Sequence, residues 1–496
     1  MKINRNILAN YASRLWAGFS TFVFVPLYIK ILGSEAFGLV TFSTSLLGIV
    51  FVVDMGMSNT FAREMAREID KQKLGDLLRS LEWLYMLIVL VVILVAIFGA
   101  GPIADHWLNA SRLEPAQVRW SVGLMIVSAI LQVMLALYIG GLLGASRHVT
   151  AAGYQIGFSV IRSGIVLIPL YFWPSVEFLF AWQLAVSAIT LLALRRTIWR
   201  VIGTPNKPHF SMPALQSIWA FAGGMFGIAL ISAVNTQSDK LVVSKVFSLD
   251  VLGLYSIASL IGQIPSMLAL PLAITVLPRL TGQAARGDRS GLHETYMQYS
   301  FFISAVAFCS TIGIVIGAPH ILALLKGGKP SPELVMISRI LGGGGALLAV
   351  QYMPYHLAVA NAHTRTNIMF GAASAVLLPV AMFFGASRYG LLGAAIPWVA
   401  MNASAAMILA AIITPRFLGP HLAEWLWKTA ALPLLTGVMV ILPVAFILPW
   451  IERPLVGIVV LAVFCAMGLA ANGILFLRLF RGSWPVIRRS SFGISG

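Results

Sequence analysis

Charge is what this sequence has least of. Only 10% of its 496 residues are Asp, Glu, Lys or Arg, where a soluble globular chain carries about a quarter. Hydrophobic residues make up 59% of the chain and the mean hydropathy is +0.89, more apolar surface than a soluble core of this length can hide. Cysteine is nearly absent. Cys309 and Cys465 are the two in the chain, and both lie in apolar stretches, which excludes a disulfide framework and a thiolate metal cluster. Long polar connections are also missing, so there is no room for a soluble catalytic or nucleotide-binding domain, and no cofactor or metal motif is read. The basic start MKINRNILANY is followed by an apolar run without a small-residue cleavage site, which points to a retained first helix rather than a removed signal peptide.

What is present is a succession of apolar segments. A spanning helix needs about 20 mostly apolar residues, and on that ruler about fourteen segments are expected. They lie near 8–32, 37–60, 80–101, 118–143, 149–171, 177–195, 217–246, 251–277, 298–318, 333–359, 366–387, 390–413, 428–449 and 455–478. Basic residues mark the cytoplasmic side of short loops. With the N-terminus inside, 23 of the 34 Lys and Arg fall on the cytoplasmic side and 10 on the other, leaving Arg162 within a span. Both termini are therefore expected inside, and the net charge of +17 tracks topology rather than nucleic acid. The mixed-charge stretches 61–79 and 279–297 read as amphipathic helices on the anionic inner leaflet. Trp83, Trp107, Trp173 and Trp450 read as interfacial anchors.

A repeat follows from those two stretches. A shift of 215 residues sets Lys30, Glu35, Gly38 and Leu39 beside Lys245, Asp250, Gly253 and Leu254, a shared K-x4-[ED]-x2-G-L at the turn between the first two helices of each half. The fold class expected is an all-α polytopic membrane protein with two six-helix lobes, 1–200 and 217–413, joined by a cytoplasmic linker at 201–216. Six spans is an even number, so the lobes run in the same sense around a pseudo-two-fold axis along the membrane normal. Two extra helices at 428–478 and a cytoplasmic tail at 479–496 complete the chain.

With these residues in view, the chain resembles the polysaccharide flippases of the Wzx type, in the multidrug/oligosaccharidyl-lipid/polysaccharide exporter superfamily. The stretches LANYASRLWAGFSTFVFVPLYIKILGSEAFGLVTFSTSLLGIVFVVDMGMS and NTQSDKLVVSKVFSLDVLGLYSIASLI carry the resemblance, which extends over essentially the whole length. It implies fourteen helices and flipping of an undecaprenyl-diphosphate-linked glycan from the inner to the outer leaflet of a bacterial inner membrane, in lipopolysaccharide or exopolysaccharide biosynthesis. Polymerase and chain-length proteins of the same pathway are the implied partners.

Charges inside spans are costly enough to be read as functional. Arg14 and Asp54 each lie about six residues from the cytoplasmic ends of the first two segments, roughly 9 Å deep at 1.5 Å per residue. They could pair, either to lock the hairpin or as a switch at a cytoplasmic gate. Arg162, near the middle of the fifth segment between Ser159 and Ser163, has no acid nearby in sequence. Its guanidinium could bind a diphosphate bidentately, or be capped by backbone carbonyls or a distant acid. Asp239 and Lys240 lie below the outer end of the seventh segment and cannot both face one way, since adjacent helix positions are about 100° apart. Arg339 could line the same cavity or snorkel outward. The candidate substrate-binding cations are thus Arg14, Arg162, Lys240 and Arg339, and the candidate coupling or gating acids Asp54 and Asp239.

The run Gly342 to Gly345 suggests a flexible point or very close packing. Two other functions remain open. A cation-coupled multidrug antiporter of the same superfamily wants buried acids, of which Asp54 and Asp239 are the obvious ones. A membrane polymerase or glycosyltransferase wants a sizeable outer loop, and the outer loops here are short.

Overall fold

Backbone polar groups in a bilayer have no water to bond, so a chain this apolar must satisfy them within its own helices. A computed structural model describes residues 5–480 except Ile69 and Pro205, and side chains except also those of 5–15, 17–19, 21–22 and 217–222. Among the described residues there is no β-strand. The helices are α1 Arg5–Val50, α2 Met57–Arg67, α3 Lys71–Pro102, α4 Pro115–Gly144, α5 His148–Ser159, α6 Leu167–Phe172, α7 Val176–Ile202, α8 Met212–Val246 and α9 Leu249–Gly262. They continue with α10 Ile264–Ala285, α11 Arg289–Lys326, α12 Pro332–Val350, α13 Tyr352–Ala360, α14 Arg365–Leu418, α15 Leu422–Trp425, α16 Leu432–Ile441, α17 Val444–Ile447 and α18 Pro454–Leu479.

Eleven stretches among the described residues are long and apolar enough to cross a membrane. Two glycine breaks account for part of the difference from the expected fourteen. The expected pairs 8–32 with 37–60, and 366–387 with 390–413, are each one helical stretch broken at a glycine. Gly33 has φ 86 and Gly390 φ 65, left-handed values that a residue with a Cβ adopts at a cost. At the second break the chain folds back closely: a Cβ on Gly393 would lie 1.9 Å from the carbonyl oxygen of Gly385. The seventh segment, α8, lies partly outside the described side chains, and the apolar helix Leu249–Gly262 is short by itself.

Two compact units divide the chain. The first comprises 1–257, 325–327 and 371–394. Its core is built by α2, α3, α4 and α7 around Phe61, Leu78, Leu81, Tyr85, Tyr138 and Ile198. The amphipathic run begins as α2, whose Met57, Ser58, Thr60 and Phe61 are buried. This face is seated on α4 rather than on lipid alone, because Gly140 and Gly144 let the backbones touch. A Cβ at Gly144 would lie 2.1 Å from the Ala62 carbonyl oxygen. Along α3 the residues Met86, Leu87, Leu90, Val91, Leu94 and Phe98 are exposed, a stripe suited to hydrocarbon.

The second unit comprises 258–324, 328–370 and 395–496. Small residues at helical spacing, Ala269 with Ala273 and Ala346 with Ala349, are fully buried beside Tyr296, Met353 and Trp425, the close packing that membrane helices use in place of a hydrophobic drive. The glycine run in α12 belongs to this packing. A Cβ at Gly345 would stand 2.1 Å from the Gly262 carbonyl oxygen and one at Gly344 2.5 Å from the Trp398 ring. No separate amphipathic helix occupies 279–297. Helix α10 runs to Ala285 and α11 begins at Arg289, with Gly287 at φ 66 turning the chain. The mixed-charge stretch is thus the polar ends of two long helices and the tight turn between them. Both cysteines are free.

The repeat has a structural counterpart inside the first unit. A Cβ on Gly38 would meet the Leu249 carbonyl oxygen at 2.0 Å, and one on Gly253 the Ser34 carbonyl oxygen at 2.3 Å. Ser34 and Leu249 are 215 residues apart, as are Gly38 and Gly253, so the contact maps onto itself under the shift. Reciprocity of this kind is what a two-fold axis between two copies produces.

Candidate functional site

The expected site residues fall in several places. Arg14 lies among the side chains outside the described residues. Asp54 is buried in the short 3-10 turn after α1. Its carboxylate accepts from the Ser58 hydroxyl at 2.5 Å and from the Tyr85 hydroxyl of α3, which ties the start of α2 to the core. Asp239 and Lys240 are half-buried on α8. Lys245 reaches across to the His106 carbonyl and lies 5.6 Å from the Trp107 ring centroid. In the second unit the Arg339 Nε donates to the Val315 carbonyl of α11 at 2.8 Å, so part of that guanidinium caps a neighbouring helix.

Arg162 is different. It sits in a π-helical turn, Val160–Ile165, between α5 and α6. Such single turns widen the helix and often mark functional positions. The widened turn is held from two directions. Tyr28 donates to the Ser163 carbonyl at 2.9 Å, and the Trp182 indole of α7 donates to the Ile161 carbonyl at 3.0 Å. Trp16 donates to Ser159 one turn earlier, at 3.3 Å. The guanidinium gives Nη2 to the side-chain oxygen of Gln183 at 2.7 Å, and its carbon lies 5.8 Å from the Phe158 ring centroid. Its Nε is buried with no hydrogen-bond partner among the described residues. No carboxylate there lies within ion-pair distance of it. A half-buried guanidinium held by one neutral amide retains most of its five donors for an anion.

A charge cluster that the sequence did not disclose lies elsewhere on α7. Glu82 of α3 is 3% exposed. It accepts from Arg195 Nε and Nη2 at 2.8 and 3.1 Å, Tyr138 at 2.9 Å, Trp199 at 2.9 Å and Arg79 at 3.3 Å. Both arginines, with Arg196, Trp199, Arg200 and Pro208, line a pocket of about 400 Å³. Four arginines against one carboxylate leave this pocket cationic. The only hint in sequence is Glu82 itself, an acid at the head of an apolar segment, 113 residues from Arg195.

The match with a family model described as "Polysaccharide biosynthesis protein" covers residues 3–282, more than half of the chain and all of these first-unit contacts. The chain belongs to this family. Among similar proteins, this family member is 23% identical over 375 residues to a Shigella flexneri protein named as an O-antigen transporter, a match covering 74% of this chain and 87% of the relative. It is 21% identical over 393 residues to the lipopolysaccharide biosynthesis protein WzxC of Escherichia coli (strain K12), covering 76% and 75%. Of solved structures, it resembles the lipid II flippase MurJ in an inward closed conformation with a TM-score of 0.74 and 15% identity, over 96% of this chain and 99% of that one. An inward-facing multidrug resistance MATE family transporter of the MOP superfamily follows at TM-score 0.64 and 15% identity, over 84% and 99%. The polytopic helical fold expected from the sequence is therefore the fold these transporters share.

One further group of side chains has metal-ligand character. His293, His421 and Glu424 of the second unit each offer a donor atom within 4.8 Å of the others. No ligand of this kind was expected from the sequence.

Proposed function

We propose that this protein moves a polyprenyl-diphosphate-linked oligosaccharide from the inner to the outer leaflet of a bacterial cytoplasmic membrane by alternating access, with both termini inside. Family membership, the names of the curated relatives and a fold shared with a lipid II flippase support a transporter rather than a catalyst. The excess of basic residues on one set of loops supports the orientation. The observation that carries the substrate class is Arg162: a cation within a span, lacking a carboxylate partner and with a buried Nε donor unmet. A diphosphate supplies the planar, bidentate acceptors that guanidinium fits, and the polyprenyl tail stays in lipid while the headgroup crosses. Lys240 and Arg339 are assigned secondary places on this path, Asp54 and Asp239 roles in gating or coupling, and the two halves 1–200 and 217–413 the moving lobes.

Arg162→Ala tests the substrate reading. In a strain lacking the transporter, wild type restores surface glycan, while Arg162→Ala at equal membrane abundance falls by about 10–100-fold, the worth of a charged hydrogen-bonded contact of roughly 1.5–3 kcal/mol. Arg162→Lys recovers part of it, since charge is kept and the bidentate fork lost. Full restoration by the alanine variant removes the diphosphate role.

The Ser34–Asp250 hydrogen bond, beside the reciprocal contacts of Gly38 with Leu249 and of Gly253 with Ser34, supports an outer closure that parts in each cycle. Joining Ser34→Cys to Asp250→Cys by oxidation should stop transport, and reduction should restore it. Undiminished transport by the oxidised protein would place the moving gate elsewhere.

A further inference from the structure

We propose that His293, His421 and Glu424 bind a divalent transition-metal ion of the zinc class, a site that fastens the beginning of α11 to the segment opening the final helices. The three donors come from two separated parts of the second unit. His293 lies one turn into α11, and His421 precedes α15, in which Glu424 lies. His421 Nδ1 is 3.0 Å from Glu424 Oε2, and His293 Nε2 is 3.9 Å from the same oxygen. Around a tetrahedral zinc with bonds of about 2.0–2.1 Å, ligand atoms stand about 3.3 Å apart. The two observed separations bracket that value, so small side-chain shifts close the shell.

Three observations favour an ion over a plain surface network. First, a salt-bridge network along one helix face needs only His421, Glu424 and Lys428, which are already spaced for it. His293 comes from another helix, and its Nε2 is buried with no hydrogen bond among the described residues, aimed at a carboxylate it does not reach. Second, the Lys428 ammonium holds the other carboxylate oxygen, Oε1, at 2.7 Å. That leaves Oε2 for the ion and fixes the carboxylate's direction, the usual task of an outer partner at a metal site. Third, the imidazole rings stand with centroids 4.5 Å apart, tilted by 50°, and a nitrogen of each lies within 4.8 Å of the other and of the carboxylate. Two imidazoles and one carboxylate suit zinc, cobalt or nickel, whereas calcium and magnesium want oxygen ligands throughout. Binding takes the lone pair of His421 Nδ1, and the neutral ring then carries its hydrogen on Nε2. The fourth position is left for water.

The position of the site gives it a mechanical consequence. Trp425, next to Glu424, is buried and donates to Ser300 at 3.0 Å, so the ion would reinforce an anchor of α15 on α11 that already exists.

The test uses the full-length protein in detergent, purified without a histidine tag and stripped with chelator. Equilibrium dialysis against Zn²⁺ should give one ion per chain at micromolar concentration, and Co²⁺ should give the visible absorption of a four- or five-coordinate ion. His293→Ala and Glu424→Gln should each weaken Zn²⁺ binding at least tenfold, and Zn²⁺ should raise the melting temperature of wild type but of neither variant. Should His293→Ala not purify, His293→Asn and His421→Ala read the same site. Wild type binding less than one ion per chain, or substitutions that leave the affinity unchanged, would overturn the proposal.

Discussion

Two charges fastened to one helix teach what the first unit does with electrostatics. Glu82 and Arg162 are both fastened to α7, through Arg195 and Gln183, positions separated by about 18 Å at 1.5 Å per residue. Glu82 takes five donors from four side chains. Among the described residues Arg162 has a single hydrogen-bond acceptor, a neutral amide. A buried charge whose capacity is filled by the protein holds helices together; one whose capacity is left open has something further to bind.

The largest break in that comparison is Glu82→Ala. It leaves Arg195 and Arg79 facing each other and orphans the hydroxyl of Tyr138, which is fully buried. The arginine side chains are 42% and 40% exposed and can turn towards water, so the loss is smaller than for a sealed ion pair, at about 3 kcal/mol. A drop in melting temperature and in membrane abundance is expected, with transport falling in proportion to abundance. Normal abundance with lost transport would move Glu82 from scaffold to substrate path.

Gln183→Glu sharpens the comparison from the other side, because it gives Arg162 the carboxylate it lacks. The 2.7 Å contact would become an ion pair, and the guanidinium would be filled as Glu82 is. Stability is expected to hold or rise while transport falls about tenfold, a loss of roughly 1.4 kcal/mol in headgroup binding. The measurement is surface glycan set against melting temperature. Loss of both together would mean that Arg162 is a structural group after all.

The same contrast explains what could be read from sequence. The spans were legible because each carries its own apolar length, and Arg162 because a lone cation in such a span is conspicuous without any partner. Glu82 was not, since its meaning depends on Arg195 and Trp199 more than a hundred residues away. Asp54 was visible as an oddity, yet its tyrosine partner, Tyr85, lies in the next span and carries no charge to suggest pairing. The breaks at Gly33 and Gly390 were legible as well, since the expected segments divide at 32/37 and 387/390; the torsions show that each is a turn at a glycine and not a loop. The site of His293, His421 and Glu424 joins two weakly polar stretches that no spacing rule connects.

The smallest effect is expected at the pocket mouth. Arg196 and Arg200 are exposed and lie beside a carboxylate already saturated by other donors, so neither charge is needed to balance Glu82. Arg196→Ala should change stability by no more than about 0.5 kcal/mol. If the roughly 400 Å³ pocket is only the rim of the Glu82 scaffold, transport also stays unchanged at physiological salt. A reduction that disappears when Arg196 is replaced by Lys, and shrinks as ionic strength rises, would instead make the pocket a long-range electrostatic collector of anionic headgroups. Charge alone would then suffice at the mouth, where Arg162 needs the fork geometry of guanidinium.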